Sequence, residues 1–174
     1  YYNDVYLQKT DVEGIYANLF GFKYFGFATT PTNTLALQIA SEPNKLDPAL
    51  NSTVDGACLA ILAFSGLFMY DENGQLTPDL VDTYEMSEDG LTYTFTMKDG
   101  LKWSDGTELT AKDVEYSWQR LANPDTGADY AYLTTVIATK DDGTLDIEAS
   151  EDGKTFSVNL VAPCAYFLDL CAFP

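Results

Sequence analysis

The residues that could do chemistry in this chain are mostly carboxylates. Asp105 and Glu108, in "SDGTEL", have the spacing of an acid–base pair such as a glycosidase uses. Their setting argues otherwise: Asp105 sits in an Asp-Gly turn, and Glu108 precedes a helix cap where water solvates it. Asp141, Asp142 and Asp146 around Gly143 have the look of a calcium loop. They lack its alternating oxygen ligands and its distal glutamate, so a solvated hairpin is expected. Cys58, Cys164 and Cys171 form no metal or disulfide spacing motif. On one helix Cys164 and Cys171 would lie about 10 Å apart, too far to bridge, and all three read as small buried apolar residues. The sequence contains no histidine. That removes the usual general base at neutral pH and every Ser-His or Cys-His nucleophile. Neither common glycine-rich phosphate loop is present. No catalytic constellation, metal site or cofactor site is expected. The aromatics Trp103, Tyr116, Trp118, Tyr130 and Tyr132 remain as ligand-cleft candidates. Tyr116 and Trp118 read as packing residues, whereas Tyr130 and Tyr132, just past a Pro/Gly-rich loop, fit packing and ligand contact equally.

Those side chains need a scaffold, and the composition supplies one. At 174 residues and 46% hydrophobic content, with 12 Tyr and 10 Phe, the chain suits one domain or one lobe of a larger protein. A globule of this size buries roughly 70% of the surface its unfolded chain exposes, so it needs no disulfides. Acidic residues outnumber basic ones 27 to 9, a formal charge of −18. Such a charge repels phosphates and anionic headgroups, which excludes nucleic acid as an expected partner. No apolar run is long enough to insert in a membrane. The opening "YYNDVYLQKT" has neither the basic start nor the apolar stretch of a signal peptide.

Periodicity predicts the elements. "TLALQIA" (34–40) alternates as a strand, ended by the proline-bracketed "SEPNKLDPAL". Residues 54–70 are apolar nearly all round, which predicts a buried helix, with a turn at 71–74 and an extended or helical connector after it. "TYTFTMK" (92–98) alternates strictly, with Tyr93, Phe95 and Met97 on one face. "SEDGLTYTFTM" and "SEDGKTFSVNL" repeat an Asp-Gly turn feeding a strand, as two entries into one sheet. Residues 144–149 and 155–161 are expected to pair as a hairpin. Thr110 is placed to cap a helix from residue 111, with Asp113 completing a capping box. Val114, Trp118, Leu121 and Ala122 form its apolar stripe, and Asn123-Pro124 stops it. Short helices are expected over 128–138 and 164–172.

Several of these stretches together resemble one family. "LKWSDGTELTAKDVEYSWQRLANPDTGADYAYL" is similar to the signature region of the family 5 extracellular solute-binding proteins, the peptide and nickel receptors of ABC importers. "TLALQIASEPNKLDPAL", "GLFMYDENGQLTPDLVDTYEMSEDGLTYTFTMKDGLKWSDG" and "SEDGKTFSVNLVAPCAYFLDLCAFP" resemble its neighbouring segments in order, over residues 34–174. The resemblance implies a mixed α/β chain: one lobe of a type II periplasmic-binding-protein-like fold, with a mixed sheet, β-hairpins and flanking helices. It implies a binding protein rather than an enzyme, on the extracellular face of the cell envelope, with peptide and the importer's membrane subunits as partners. Nickel, haem, oligosaccharide and signalling peptide stay open as alternative ligands. The implied cleft wall comprises Asn51, Ser52, Thr53, Val54 and Asp55, joined by Tyr130 and Tyr132. A second lobe would close the clamp, so this lobe alone is expected to bind peptide weakly.

Residues 1–30 resemble the same family's C-terminal segment instead, where paired tyrosines lead to a "V-x-G" turn and a last aromatic strand. This predicts a rearranged chain in which the tail, joined through "TTPTN" (29–33), packs on the lobe formed by residues 31–174. A natural N-terminal extension is the alternative.

Overall fold

The computed structural model describes residues 9–17, 23–39 and 41–174. Its strands are β1 (Tyr16–Ala17), β2 (Lys23–Tyr24), β3 (Phe68–Tyr70), β4 (Leu76–Pro78), β5 (Val81–Met86), β6 (Thr92–Met97), β7 (Ile147–Ala149) and β8 (Thr155–Asn159). Its helices are α1 (Val54–Ala63), α2 (Ala111–Ala122) and α3 (Phe167–Leu170).

The centre is a four-stranded sheet in the order β5-β6-β8-β7. Strict alternation in β6 puts Tyr93, Phe95 and Met97 on one face, and all three are buried. Phe95 pairs in register with Phe156 of β8, and neither has any exposed surface. Full burial of such a side chain contributes about 1.5–3 kcal/mol. Trp118 of α2 meets the Phe156 ring edge-on at 5.2 Å, and Phe167 of α3 lies 4.8 Å from the Tyr93 ring. Both helices therefore cover the same face. The opposite face is polar: Thr92 Oγ1 donates to Asn159 Oδ1 at 2.8 Å, and the Thr94 and Ser157 hydroxyls lie 3.4 Å apart. The sheet was expected to be mixed, but every described pairing is antiparallel.

The two "SEDG" turns have one geometry. In each, the serine hydroxyl donates to the aspartate at 2.6 Å (Ser87 to Asp89, Ser150 to Asp152). That serine oxygen then accepts the N–H of the first residue of the next strand, Thr92 or Thr155, at 2.9 Å. Gly90 and Gly153 supply the positive φ at each turn. The capping box forms as read: Thr110 N–H donates to Asp113 Oδ2 at 2.7 Å, and α2 ends at Ala122 before Asn123-Pro124. The 155–159 strand pairs with β7, as the predicted hairpin requires.

Four element readings need correction. No strand forms over residues 34–39, because no described segment offers a ladder partner; Ala40 lies outside the described residues. The predicted helix over 54–70 stops at Ala63, and its end becomes β3, paired with β4. An all-round apolar run does not distinguish helix from strand by period, and tertiary bonding decides. Phe68 N–H donates to Cys171 O at 3.1 Å, and Asp79 N–H to Leu67 O at 2.9 Å. The expected helix over 128–138 is a 3-10 segment at Ala131–Val136. There Thr134 and Thr135 hydroxyls donate to the carbonyls three residues back, which competes with α-helical bonding. The last helix covers only Phe167–Leu170, with the Cys171 carbonyl drawn off by β3. Cys164 therefore lies outside that helix. Cys58 and Cys171 are buried and Cys164 is half-buried.

At the N-terminal side, β1 and β2 pair, with the Tyr16 and Tyr24 rings stacked at 4.8 Å. Tyr16 Oη donates to Tyr70 O at 3.0 Å, fastening this hairpin to β3. The paired tyrosines Tyr1 and Tyr2 lie outside the described residues.

Candidate functional site

The residues Asn51–Asp55 form the entry to α1. Asn51 Oδ1 accepts from both the backbone N–H and the hydroxyl of Thr53, at 3.2 and 3.0 Å, and Asn51 Nδ2 donates to the Thr53 carbonyl. Thr53 Oγ1 in turn accepts the Gly56 N–H at 3.1 Å, the helix N-cap bond. A Cβ at Gly56 would come within 2.0 Å of Asn51 Oδ1, so the latch requires glycine there. Asn51 and Thr53 are thus committed to holding the helix. Asp55 Oδ2 accepts the N–H and hydroxyl of Ser41 at 2.9 and 2.6 Å, tying α1 to the preceding loop. Ser52 and Val54 point their side chains outward and are exposed.

Tyr130 and Tyr132 flank Ala131 at the start of the 3-10 segment. Their rings meet edge-on at 5.9 Å, and the side chains are 42% and 60% exposed. They make no other side-chain hydrogen bond or ring contact among the described residues. Among the described residues no hydrogen bond or ring contact joins them to Asn51 or Thr53.

A pair that the sequence reading missed ties α2 to the turn that precedes Asn51. Arg120 of α2 donates Nη1 to Asp47 Oδ1 at 2.8 Å and Nη2 to Asp47 Oδ2 at 2.6 Å, a two-pronged ion pair. Asp47 also accepts the Ala49 N–H and so organises the turn that leads into Asn51–Asp55. Its bonds to Arg120 hold the carboxyl below the usual range. The available signal was modest: Arg120 is the chain's only arginine, on the α2 side opposite its apolar stripe.

Beside this pair opens a cavity of about 730 Å³ between α2, α3 and the loop after β6. Leu101, Trp103, Val114, Trp118, Phe167 and Phe173 line it, with Pro48, Ala49 and Arg120 at one side. None of Asn51–Asp55, Tyr130 or Tyr132 does. Of the other aromatic candidates, Trp103 and Tyr116 border this cavity and are exposed, while Trp118 is divided between the cavity and the core.

Acid–base work finds no support in the geometry. Asp105 accepts from Thr107 N–H and Oγ1 at 2.9 and 2.7 Å, and Asp142 from Thr144 in the same way. These bonds stabilise the ionised carboxylates and lower their pKa values. A general acid at neutral pH needs the opposite shift. Among the described residues no group of three or more His, Cys, Asp or Glu converges on a metal position. No described helix is long and apolar enough to cross a membrane.

The site thus consists of an antiparallel sheet covered on one face, a capped helix beside a loop pinned by Arg120, and two exposed tyrosines. Residues 75–173 match the bacterial extracellular solute-binding proteins, family 5 (middle region), and the chain belongs to that family. It is 36% identical over 157 residues to the dipeptide-binding protein of Lactococcus lactis, covering 86% of this chain and 28% of that protein. It is 38% identical over 149 residues to the oligopeptide-binding protein OppA of Bacillus subtilis, covering 80% and 27%. Its fold matches the solved structure of Listeria monocytogenes OppA bound to peptide, with TM-score 0.74 and 28% identity, over 78% of this chain and 28% of that one. The chain thus spans under a third of the length of these relatives. The family is described as extracellular solute-binding proteins, and the two curated relatives are named for binding dipeptides and oligopeptides.

Proposed function

We propose that this chain is part of the receptor of an ABC-type peptide importer and supplies one wall of its peptide cleft. The observation that carries the reading is the likeness of fold to a relative solved with peptide bound. Within the chain, the exposed Tyr130 and Tyr132 and the outward side chains of Ser52 and Val54 are the groups free to meet a ligand. Asn51, Thr53 and Asp55 hold that wall in place, and the Asp47–Arg120 pair sets the turn that carries it. Residues 1–30 are, in this reading, the equivalent of the family's C-terminal segment packed on the same lobe, and the Tyr16–Tyr70 bond of their described part supports that packing. The receptor works on the extracellular face of the envelope, as a periplasmic or surface-anchored protein, and hands its peptide to the importer's membrane subunits.

An extended peptide is gripped largely through its main chain, and a clamp needs two sides to desolvate it. One wall alone leaves the peptide half in water, so the 174-residue chain binds it weakly. Photo-crosslinking with a benzophenone-bearing tripeptide at millimolar concentration tests this. Labelling is expected at Tyr130, Tyr132 and residues 51–55, and to fall at least fivefold in Tyr132→Ala. Labelling confined to other surfaces, or micromolar affinity of this chain by calorimetry, would overturn the reading.

A further inference from the structure

The outer edge of the central sheet carries a second inference, independent of the receptor reading. β5 is the end strand of its sheet, and among the described residues no strand pairs with its far side. The hydrogen-bond phase fixes which groups point away from β6. Ser87 N–H donates to Thr92 O at 2.9 Å, and the register continues Glu85↔Thr94 and Thr83↔Thr96. In an antiparallel ladder alternate residues turn their N–H and C=O to the same side. Thr83 and Glu85 therefore face β6, and Tyr84 and Met86 present their backbone groups outward. Val81 is closed off, because its N–H reaches Leu67 O, and the register shifts between Val81 and Thr83. The open stretch is Asp82–Met86.

Side chains along that stretch separate by face. Tyr84 and Met86 pair with Phe95 and Tyr93 on the helix-covered side, yet are 42% and 54% exposed at the rim. Tyr84 stands edge-on to Phe68 at 5.7 Å, so its ring is already positioned. Thr83 and Glu85 lie on the open, hydroxyl-lined face. Acidic residues run the length of the edge, namely Asp82, Glu85 and, just beyond, Glu88, and β5 contains no basic residue. The neighbouring Lys98 is turned to the Pro78 carbonyl at 3.4 Å.

We propose that β5 is a docking edge for an extended segment of another polypeptide, with apolar and Lys/Arg side chains in alternation. Such a segment adds a fifth strand, its main chain bonding to Tyr84 and Met86. Its apolar side chains cover Tyr84 and Met86, and its cations lie beside Glu85 on the open face. A second copy of this chain is a poor occupant, since two acidic edges would be set side by side.

The test uses the 174-residue chain with an octapeptide alternating valine and lysine, and its valine–glutamate counterpart. Amide hydrogen exchange at Tyr84 and Met86 is expected to slow at least tenfold with the lysine peptide and not with the glutamate peptide. Glu85→Lys is expected to weaken binding at least tenfold while the thermal melt stays that of a folded protein. Protection of Tyr84 and Met86 by concentration-dependent dimerisation would overturn the assignment, as would equal binding of both peptides. Binding of the lysine peptide without protection at those two amides would overturn it too.

Discussion

Arg120 closes on Asp47 with two parallel hydrogen bonds across 73 positions of chain, joining the helix of the central layer to the turn that starts α1. The planar guanidinium matches the carboxylate in a way a lysine ammonium does not. About a third of each side chain remains exposed, so water screens the pair and geometry counts for more than charge. Arg120→Lys is therefore expected to recover only part of what Arg120→Met loses. A double-mutant cycle with Asp47→Asn, read by thermal unfolding, should show a coupling that vanishes when either partner is absent.

The same pair gives a pH signature. The folded-state pKa of Asp47 lies below its unfolded value of about 3.9, with the Arg120 bonds as the main cause. Its contribution is fully present above about pH 4 and is lost as pH falls through the folded-state value. Acid unfolding of Asp47→Asn should show less pH dependence below pH 4 than the parent chain.

Tyr16 provides the alkaline counterpart. Burial, followed by the nearby Tyr24, Asp71 and Glu72, raises its pKa from 10 to about 12. Neutral Tyr16 holds the N-terminal hairpin through its bond to the Tyr70 carbonyl. Stability from that bond is intact below pH 10 and disappears as pH rises through about 12. Hydrogen exchange of the described hairpin should accelerate over that window, and Tyr16→Phe should exchange fast already at neutral pH.

Gly90 and Gly153 occupy equivalent turns but are not equivalent sites. Both have positive φ, so alanine at either costs about 1–2 kcal/mol of backbone strain. At Gly153 a Cβ would also come within 2.8 Å of Thr110 Cβ, whereas at Gly90 the nearest atom is 3.6 Å away. Gly153 O additionally accepts the Ala111 N–H at the start of α2. Gly153→Ala is expected to lower stability more than Gly90→Ala, measured by urea denaturation.

Phe95→Ala should cost about 3–5 kcal/mol, since the ring is fully buried among Phe68, Phe156 and Phe167. Tyr116→Ala, on an exposed part of α2, should stay within about 0.5 kcal/mol of the parent. Equal losses at the two positions would contradict the assigned core.

Local sequence specifies part of this fold and leaves the rest to distant contacts. The β6 alternation, the twin "SEDG" turns and the Thr110–Asp113 box were legible because each is closed within a few residues. The fate of residues 64–70 was not, because it depends on a carbonyl at Cys171 and a partner strand at Leu76–Pro78. Residues 34–39 alternate like a strand, but alternation fixes a face and does not create a partner. For the proposed wall, the family resemblance picked out residues 51–55 as a group, yet only the hydrogen bonds separate Asn51 and Thr53, which serve the cap, from Ser52 and Val54, which are exposed. The Asp47–Arg120 contact joins two ordinary residues far apart in sequence, and no local pattern announces it.

Strand order has a consequence for how the chain matures during synthesis. β8 sits between β6 and β7, and the Thr94–Ser157 contact spans 63 positions. A ribosome that has just added Met97 has made a ribbon whose inner side already has Phe68 and Tyr84 to pack on but still lacks Phe156 and Phe167. The interior is complete only once β8 has paired with both β6 and β7. A protease or chaperone meeting the newborn polypeptide before then encounters its most adhesive surface only partly covered.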